Sequence, residues 1–157
     1  SVADEKTHKT NLGARDNTDI HERRQMKFLG FTIYRSKNRN QTASKTVFQT
    51  DGKRFNRARA AMKEKIHRMR HRSIPEQVKV INAILRGHFN YYGIAGNRLR
   101  LQKFWNITQK EWKHSLSKRS QNGRVTWERL LAIQKEHPMV SPKLKISYQQ
   151  LSAYVRL

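Results

Sequence analysis

Cysteine is absent from this 157-residue sequence, and acidic residues and long apolar runs are scarce. The absence of cysteine excludes disulfides, cysteine-based zinc sites and thiol catalysis. No apolar run approaches the roughly 20 residues that a bilayer span needs, and the first residues, SVADEKTHK, show no hydrophobic core of a signal peptide. We therefore expect an intracellular protein that is not secreted.

Positive charge is the dominant compositional feature. The 34 Lys and Arg residues outnumber 11 Asp and Glu residues, which gives a formal net charge of +23. Internal ion pairs cannot neutralise this excess, so a polyanion is the expected partner. Nucleic acid is the commonest such partner because binding it releases condensed counterions. An anionic membrane surface is the second candidate, but nucleic acid is favoured, so we expect no membrane partner.

The first third of the chain predicts a connector followed by a β-hairpin. Residues 4–27 mix charged and small polar residues without a hydrophobic period, which indicates a solvated connector. Residues 28–35, FLGFTIYR, are rich in aromatic and β-branched residues and predict a strand with one buried face. Residues 45–50, KTVFQT, predict its partner. We assign residues 1–52 to this first part.

Hydrophobic spacing then changes to the helical period, and residues 53–120 predict three helices. The first, residues 56–72, is cationic and amphipathic. The second begins at Ser73-Ile-Pro-Glu76, which fits a capping box, and the third begins at about Arg98. The expected buried stripes are Ala58, Met62, Ile66 and Met69; then Ile74, Val78, Ile81, Leu85, Phe89 (or His88) and Tyr92; then Leu101, Trp105, Thr108, Trp112 and Ser115 or Leu116.

Residues 121–157 predict a C-terminal extension. Thr126 is a candidate N-cap for a helix over WERLLAIQKEH, Pro138 and Pro142 keep the following residues extended, and ISYQQLSAYVRL predicts a short last helix. The fold class is therefore expected to be mainly α, a helical bundle preceded by a short β-hairpin.

The aromatic residues in RGHFNYYG admit three interpretations: core, base-stacking surface or cofactor pocket. Phe89 and Tyr92 continue the stripe of the second helix, which favours core packing, whereas Tyr91 lies off its centre and suits a half-exposed contact. No phosphate-cradling Gly loop with its Lys and Ser or Thr stands nearby, so a cofactor pocket is the least favoured and no cofactor is expected.

The basic helix has few acids to offset its cations, which favours phosphate contact over a merely solvated face. We expect nucleic acid to be bound by Lys53, Arg54, Arg57, Arg59, Lys63, Lys65, Arg68, Arg70, Arg72, Arg86, Tyr91, Arg98, Arg100 and Lys103. His67 and His71 have a spacing that suits metal ligands on a helix, but the cations between them disfavour a metal site. The Glu residues are flanked by Lys or Arg, and no catalytic residue is predicted.

Four stretches together resemble the C-terminal half of group II intron reverse transcriptase/maturases. They are FLGF on a strand, the basic helix, VINAILRGHFNYYG, and LRLQKFWNITQKEW. In that family FLGF closes the palm domain, the basic helix begins the thumb, and the Asn-Tyr-Tyr segment belongs to the maturase-specific domain X. Asp4-Glu-Lys-Thr7 is similar to the family's Lys-Thr motif in the palm. The resemblance covers roughly residues 4–137.

This resemblance implies binding of intron RNA to assist splicing, contact with the template-primer duplex during reverse transcription, and possible contact with target DNA. It also implies a location in the bacterial cytoplasm or in an organelle. His88 departs from the family, which often has Trp there. The family's Tyr-Ala-Asp-Asp motif, which holds Mg²⁺ for nucleotidyl transfer, is missing, since the Asp residues of this chain are never adjacent. No His-Asn-His endonuclease segment follows. The chain is therefore expected not to polymerise by itself.

Two other interpretations remain open at this point. A general basic nucleic-acid-binding module with no intron role would have the same charge. Alternatively, the chain is the C-terminal half of a split reverse transcriptase whose palm is separately encoded.

Overall fold

The computed structural model describes residues 25–37, 39–119 and 123–155. Most of the predicted connector, including the Lys-Thr-like motif, lies outside these residues. The described elements are β1 (Gln25–Phe28), β2 (Phe31–Lys37), β3 (Ser44–Thr50), α1 (Gly52–Arg68), α2 (Ile74–Tyr92), α3 (Arg98–Ser117), α4 (Trp127–Glu136) and α5 (Tyr148–Val155). The prediction of a mainly helical fold behind a small antiparallel sheet is confirmed, and so is the short last helix.

The sheet has three strands in the order β1-β2-β3, not the two that the sequence predicts. The predicted continuous strand over residues 28–35 is wrong because Leu29 and Gly30 form a two-residue turn that joins β1 to β2, with Phe28 paired to Phe31. Both turn residues have positive φ, 48° and 82°, as a primed hairpin turn requires. The FLGF motif is therefore a tight hairpin turn.

Helix α1 begins four residues earlier and ends four residues earlier than predicted. Its start is set by Asp51, whose carboxylate accepts the N–H of Lys53 at 3.0 Å and the N–H of Arg54 at 3.4 Å. Such a cap satisfies N–H groups that have no partner within the helix. At the other end, residues 69–72 form the turn that leads to α2.

The core lies between α1, α2 and α3, with α4 closing one side. Its largest fully buried side chains include Met62, Ile81, Leu85, Phe104 and Trp112. Of the predicted stripes, Trp105 is only partly buried, and Phe104 takes the central place instead. The capping box at Ser73 is present, with the Ser73 N–H donating to Glu76 at 3.0 Å. The Thr126 cap also forms, as Thr126 accepts the N–H of Arg129.

The chain after α4 packs back on the bundle. Asn82 of α2 donates to the Pro138 carbonyl at 2.9 Å and accepts the Val140 N–H at 2.8 Å. The N–H groups of Lys145 and Ile146 both donate to the carbonyl of Gly93. These bonds attach residues 138–146 to α2 and to the turn after it.

Candidate nucleic-acid interface

Helix α1 presents a buried apolar side and a cationic exposed side. Phe55, Met62 and Ile66 are buried, at spacings of seven and four residues that place them on one face. Apart from these positions nearly all of the helix is exposed, and Glu64 is the single acidic residue between Gly52 and Arg68. Because Phe55, Met62 and Ile66 face the core, the Lys and Arg residues at the other positions of α1 face solvent.

The predicted cations of α1 fall on both flanks of its buried stripe. Helical spacing places Arg54, Arg57, Lys65 and Arg68 along one flank, while Arg59 and Lys63 lie on the other. All six are exposed, and so is Lys53 in the first turn. The cations therefore form two rows separated by the core-facing side.

Some of these cations already have partners. Arg68 pairs with Glu64 one turn away, but both side chains are well exposed, so the pair holds Arg68 only weakly. Arg70 lies beyond the helix end, is half-buried, and donates from its guanidinium to the ring of His67. His71 lies in the following turn, so His67 and His71 do not share a helix face.

The base of α1 carries its own charge pair. Lys27 lies 3.2 Å from the Asp51 carboxylate. Partial burial acts to raise the pKa of Asp51, but hydrogen bonds from Lys27 and from the N–H of Arg54 outweigh it, and the pKa lies below its usual value. The Asp51 carboxylate is therefore ionised at neutral pH. In that state it keeps its contacts with Lys27 of the sheet and with the first N–H groups of α1.

The remaining predicted residues are spread over the molecule. Arg72 lies in the turn before α2, Arg86 on α2, and Arg98 and Lys103 on α3, all exposed. Arg100 is half-buried, with its guanidinium 5.3 Å from the centre of the Phe55 ring. Of these five, Arg72 lies in the turn after α1 and Arg100 lies against α1, whereas Arg86 lies on another helix.

Tyr91 is exposed, as the sequence predicts, but its polar tip is occupied. The hydroxyl donates to the Leu29 carbonyl at 2.8 Å, and the ring stacks on Phe31 with 9° between the planes. Phe89 is buried and Tyr92 half-buried, which confirms core packing for that part of the cluster. Tyr91 joins the FLGF turn to the end of α2.

His88 lies inside this aromatic cluster. Its ring stacks on Phe104 at 3.9 Å between centroids, with Tyr92 4.8 Å away. Burial lowers the pKa of His88 to about 4, so the ring is neutral at physiological pH. A neutral flat ring fills the position where the resembling family often has Trp.

Sequence reasoning missed a polar groove between α1 and α3. The two helices run in the same direction, since Phe55 meets Phe104 near their N-termini and Ser115 donates to the Ile66 carbonyl near their C-termini. A cavity of about 440 Å³ in the groove is lined by two Lys, two Glu and two His residues: Lys63, Glu64 and His67 of α1, and Glu111, His114 and Lys118 of α3. Applying to α3 the charge analysis used for α1 would have found Lys110, Lys113, His114 and Lys118.

In the part of the chain that the structure describes, three or more metal-ligating side chains do not gather at any point. Nor does any described helix combine the length and the apolar composition of a membrane span. Comparisons with protein-family models, with curated proteins and with solved structures each gave no significant match.

Proposed function

We propose that the chain is the RNA-binding, maturase-specific part of a group II intron-encoded reverse transcriptase. It would assist folding and splicing of intron RNA and, in a full-length protein, hold the template-primer duplex. The observation that carries this proposal is the exposed side of α1, where seven Lys and Arg residues face solvent against one Glu. The order of motifs that resembles the family specifies the kind of RNA.

The mechanism is electrostatic. Core packing of Phe55, Met62 and Ile66 holds the backbone of α1 in place, so only the cationic side chains have to be ordered when they meet phosphates. Arginine predominates on this helix, and its planar guanidinium suits bidentate phosphate contact. Two flanking rows of cations suit a folded RNA, in which two backbones pass close together, and recognition then depends on shape more than on base edges.

A competition experiment tests the proposal. The full chain is bound to a fluorescent group II intron RNA at physiological salt, and unlabelled competitors are added: the same RNA, and duplex DNA of equal length. We expect the intron RNA to compete at least tenfold better. Equal competition would instead identify a general basic module with no intron role.

A functional readout completes the test. Addition of the chain to intron RNA at low Mg²⁺ is expected to accelerate splicing, because neutralised phosphates let RNA helices approach one another. A variant with Arg57, Arg59 and Arg68 changed to Ala should lose this effect. Unchanged splicing rates with the wild-type chain would contradict the maturase role, even if RNA binding persists.

A further inference from the structure

A second cavity, of about 410 Å³, continues the α1–α3 groove toward α4. The two cavities share Lys63, Glu111 and His114. The second is further lined by Lys110 and Lys113 of α3, Arg124 of the segment before α4, and Trp127. Its volume lies within the roughly 300–1,000 Å³ that small-molecule sites occupy, which leaves room for one nucleotide.

Trp127 gives this cavity an aromatic wall. The side chain is 46% exposed although Trp is a residue that cores normally cover. The exposure follows from α4, because Thr126 caps the helix and the fully buried Leu130 fixes the face that points inward. The indole is therefore held in place by the helix and still open to solvent.

A cation already stands over the indole. The Lys113 ammonium lies 5.2 Å from the ring centre, a cation–π contact at a half-exposed site. The backbone of Lys113 is held in α3, where its carbonyl accepts the Ser117 hydroxyl at 2.9 Å. The Lys113 side chain is long and flexible. When a base stacks on the Trp127 indole, the Lys113 ammonium can therefore move from the indole to a phosphate.

The charge of the lining favours a phosphate-bearing ligand. Lys63, Lys110, Lys113 and Arg124 line the cavity with Glu111 as the single acid. Aromatic stacking combined with surrounding cations is the recurring arrangement by which proteins hold unpaired bases. A peptide without acidic residues or an uncharged metabolite would leave these cations without partners.

We propose that this cavity binds one unpaired nucleotide of the RNA, with its base stacked on Trp127 and its flanking phosphates on Lys63, Lys110 and Arg124. The inference rests on the proposed function and adds its substrate class: RNA that places an unpaired nucleotide beside a helical segment. The adjoining α1–α3 groove is not part of this site, because Glu64 and Glu111 there offset the charges of Lys63 and Lys118.

The test compares two short RNA duplexes that differ by one bulged 2-aminopurine nucleotide. We expect the full chain to bind the bulged RNA more tightly and to quench 2-aminopurine fluorescence on stacking. Trp127→Ala should lower affinity for the bulged RNA about 5- to 100-fold and abolish the quenching, with little change for the plain duplex. Trp127→Phe, which keeps a ring and the fold, should retain part of the preference.

Leu131→Ala is the matched control, because Leu131 is an exposed apolar residue of the same helix and does not line the cavity. Its binding and quenching should equal those of the wild type. If both RNAs bind with equal affinity and Trp127→Ala changes neither, the nucleotide site is wrong while the proposed function stands. If neither short RNA binds although the intron RNA does, the nucleotide site is wrong; if the intron RNA does not bind either, the proposed function fails and this site fails with it.

Discussion

The indole N–H of Trp112 donates a 2.9 Å hydrogen bond to the side-chain carbonyl of Gln77, and both side chains are completely buried. The amide of Gln77 donates in turn to the carbonyls of Arg70 and Arg72, at 3.2 and 2.8 Å. One side chain thus joins α2 to α3 and to the turn after the basic helix. Because burial leaves no water to replace these bonds, we infer that Gln77 fixes the exit of α1.

Gln77→Ala is therefore expected to lower the free energy of unfolding by about 2–4 kcal/mol, since it leaves the Trp112 N–H unpaired and creates a cavity. The measurement is urea unfolding followed by Trp fluorescence. Gln102→Ala is the control: Gln102 hydrogen-bonds Asn106 on the exposed side of α3, and its loss should cost less than about 0.5 kcal/mol. Similar losses in the two variants would mean that the buried network is unimportant.

This network also shows what sequence patterns cannot supply. Hydrophobic period predicted the buried face of α2 through Val78, Ile81 and Leu85, and these residues are buried. Gln77 and Asn82 are buried on the same helix although both are polar. Their partners lie in other elements, Trp112 for Gln77 and the 138–140 segment for Asn82, and a local pattern holds no record of such distant contacts.

The prediction of one continuous strand over residues 28–35 failed for a different physical reason. Residues 28–35 have the composition of a strand throughout. The turn at Leu29 could not be recognised from the sequence because Leu rarely adopts positive φ. Gly30 was the available signal, since an x-Gly step between apolar residues is a hairpin cue. The cations from Lys53 to Arg68 are exposed as predicted, whereas Arg70, which was predicted on the same surface, is half-buried beyond the helix end. Their division into two rows follows from the bundle's packing, and the groove with α3 needs both helices.

Gly93 provides a second prediction, on the attachment of the C-terminal segment. A Cβ at this position would collide with the Phe89 carbonyl and lie 3.1 Å from the Lys143 carbonyl. Gly93→Ala is expected to lower the free energy of unfolding by about 1–3 kcal/mol and to release residues 143–146. Limited trypsin digestion at Lys143 and Lys145 measures that release directly.

Gly87 is the matched control because it lies within α2, the helix that Gly93 follows, and a Cβ there would meet nothing within 4 Å. Gly87→Ala should stabilise the fold by about 0.5–1 kcal/mol, since alanine loses less backbone entropy in a helix. Its trypsin pattern should match that of the wild type. Faster cleavage in both variants would show that the segment does not depend on close approach to Gly93.

His88 makes stability depend on pH. Burial lowers its pKa to about 4 from 6.5, so the unfolded chain binds more protons than the folded chain between these values. The contribution of the neutral ring is complete above pH 6.5 and is lost as the pH falls toward 4. We expect a loss on the order of 2–3 kcal/mol over this window, measured by urea unfolding at a series of pH values.

Two variants isolate the contribution of this ring. His88→Phe keeps an aromatic ring stacked on Phe104 and removes the buried Nε2 that has no hydrogen-bond partner. It should flatten the pH dependence without lowering stability at pH 7.5. His71→Gln removes an exposed histidine and should leave the pH dependence as in the wild type. Equal pH dependence in His88→Phe and the wild type would assign the effect to other groups.

The exposed cations of α1 should dominate the salt dependence of RNA binding. If about six phosphates are neutralised, the logarithm of affinity falls against the logarithm of salt concentration with a slope near −4 to −5. Changing Arg57, Arg59 and Arg68 to Ala should reduce that slope by about two, while far-UV circular dichroism stays unchanged because all three are exposed. Collapse of the dichroism signal would show instead that these residues are structural.

The control for this triple variant removes the same charge from the far end of the sheet. Arg35, Lys37 and Arg39 are exposed on or beside β2, at the end of the β2–β3 hairpin away from α1. If RNA contacts α1 locally, changing these three residues to Ala should leave the slope within about half a unit of the wild-type value. Equal reductions in both variants would mean that RNA senses only net charge, and the two rows of cations on α1 would then have no special role in binding.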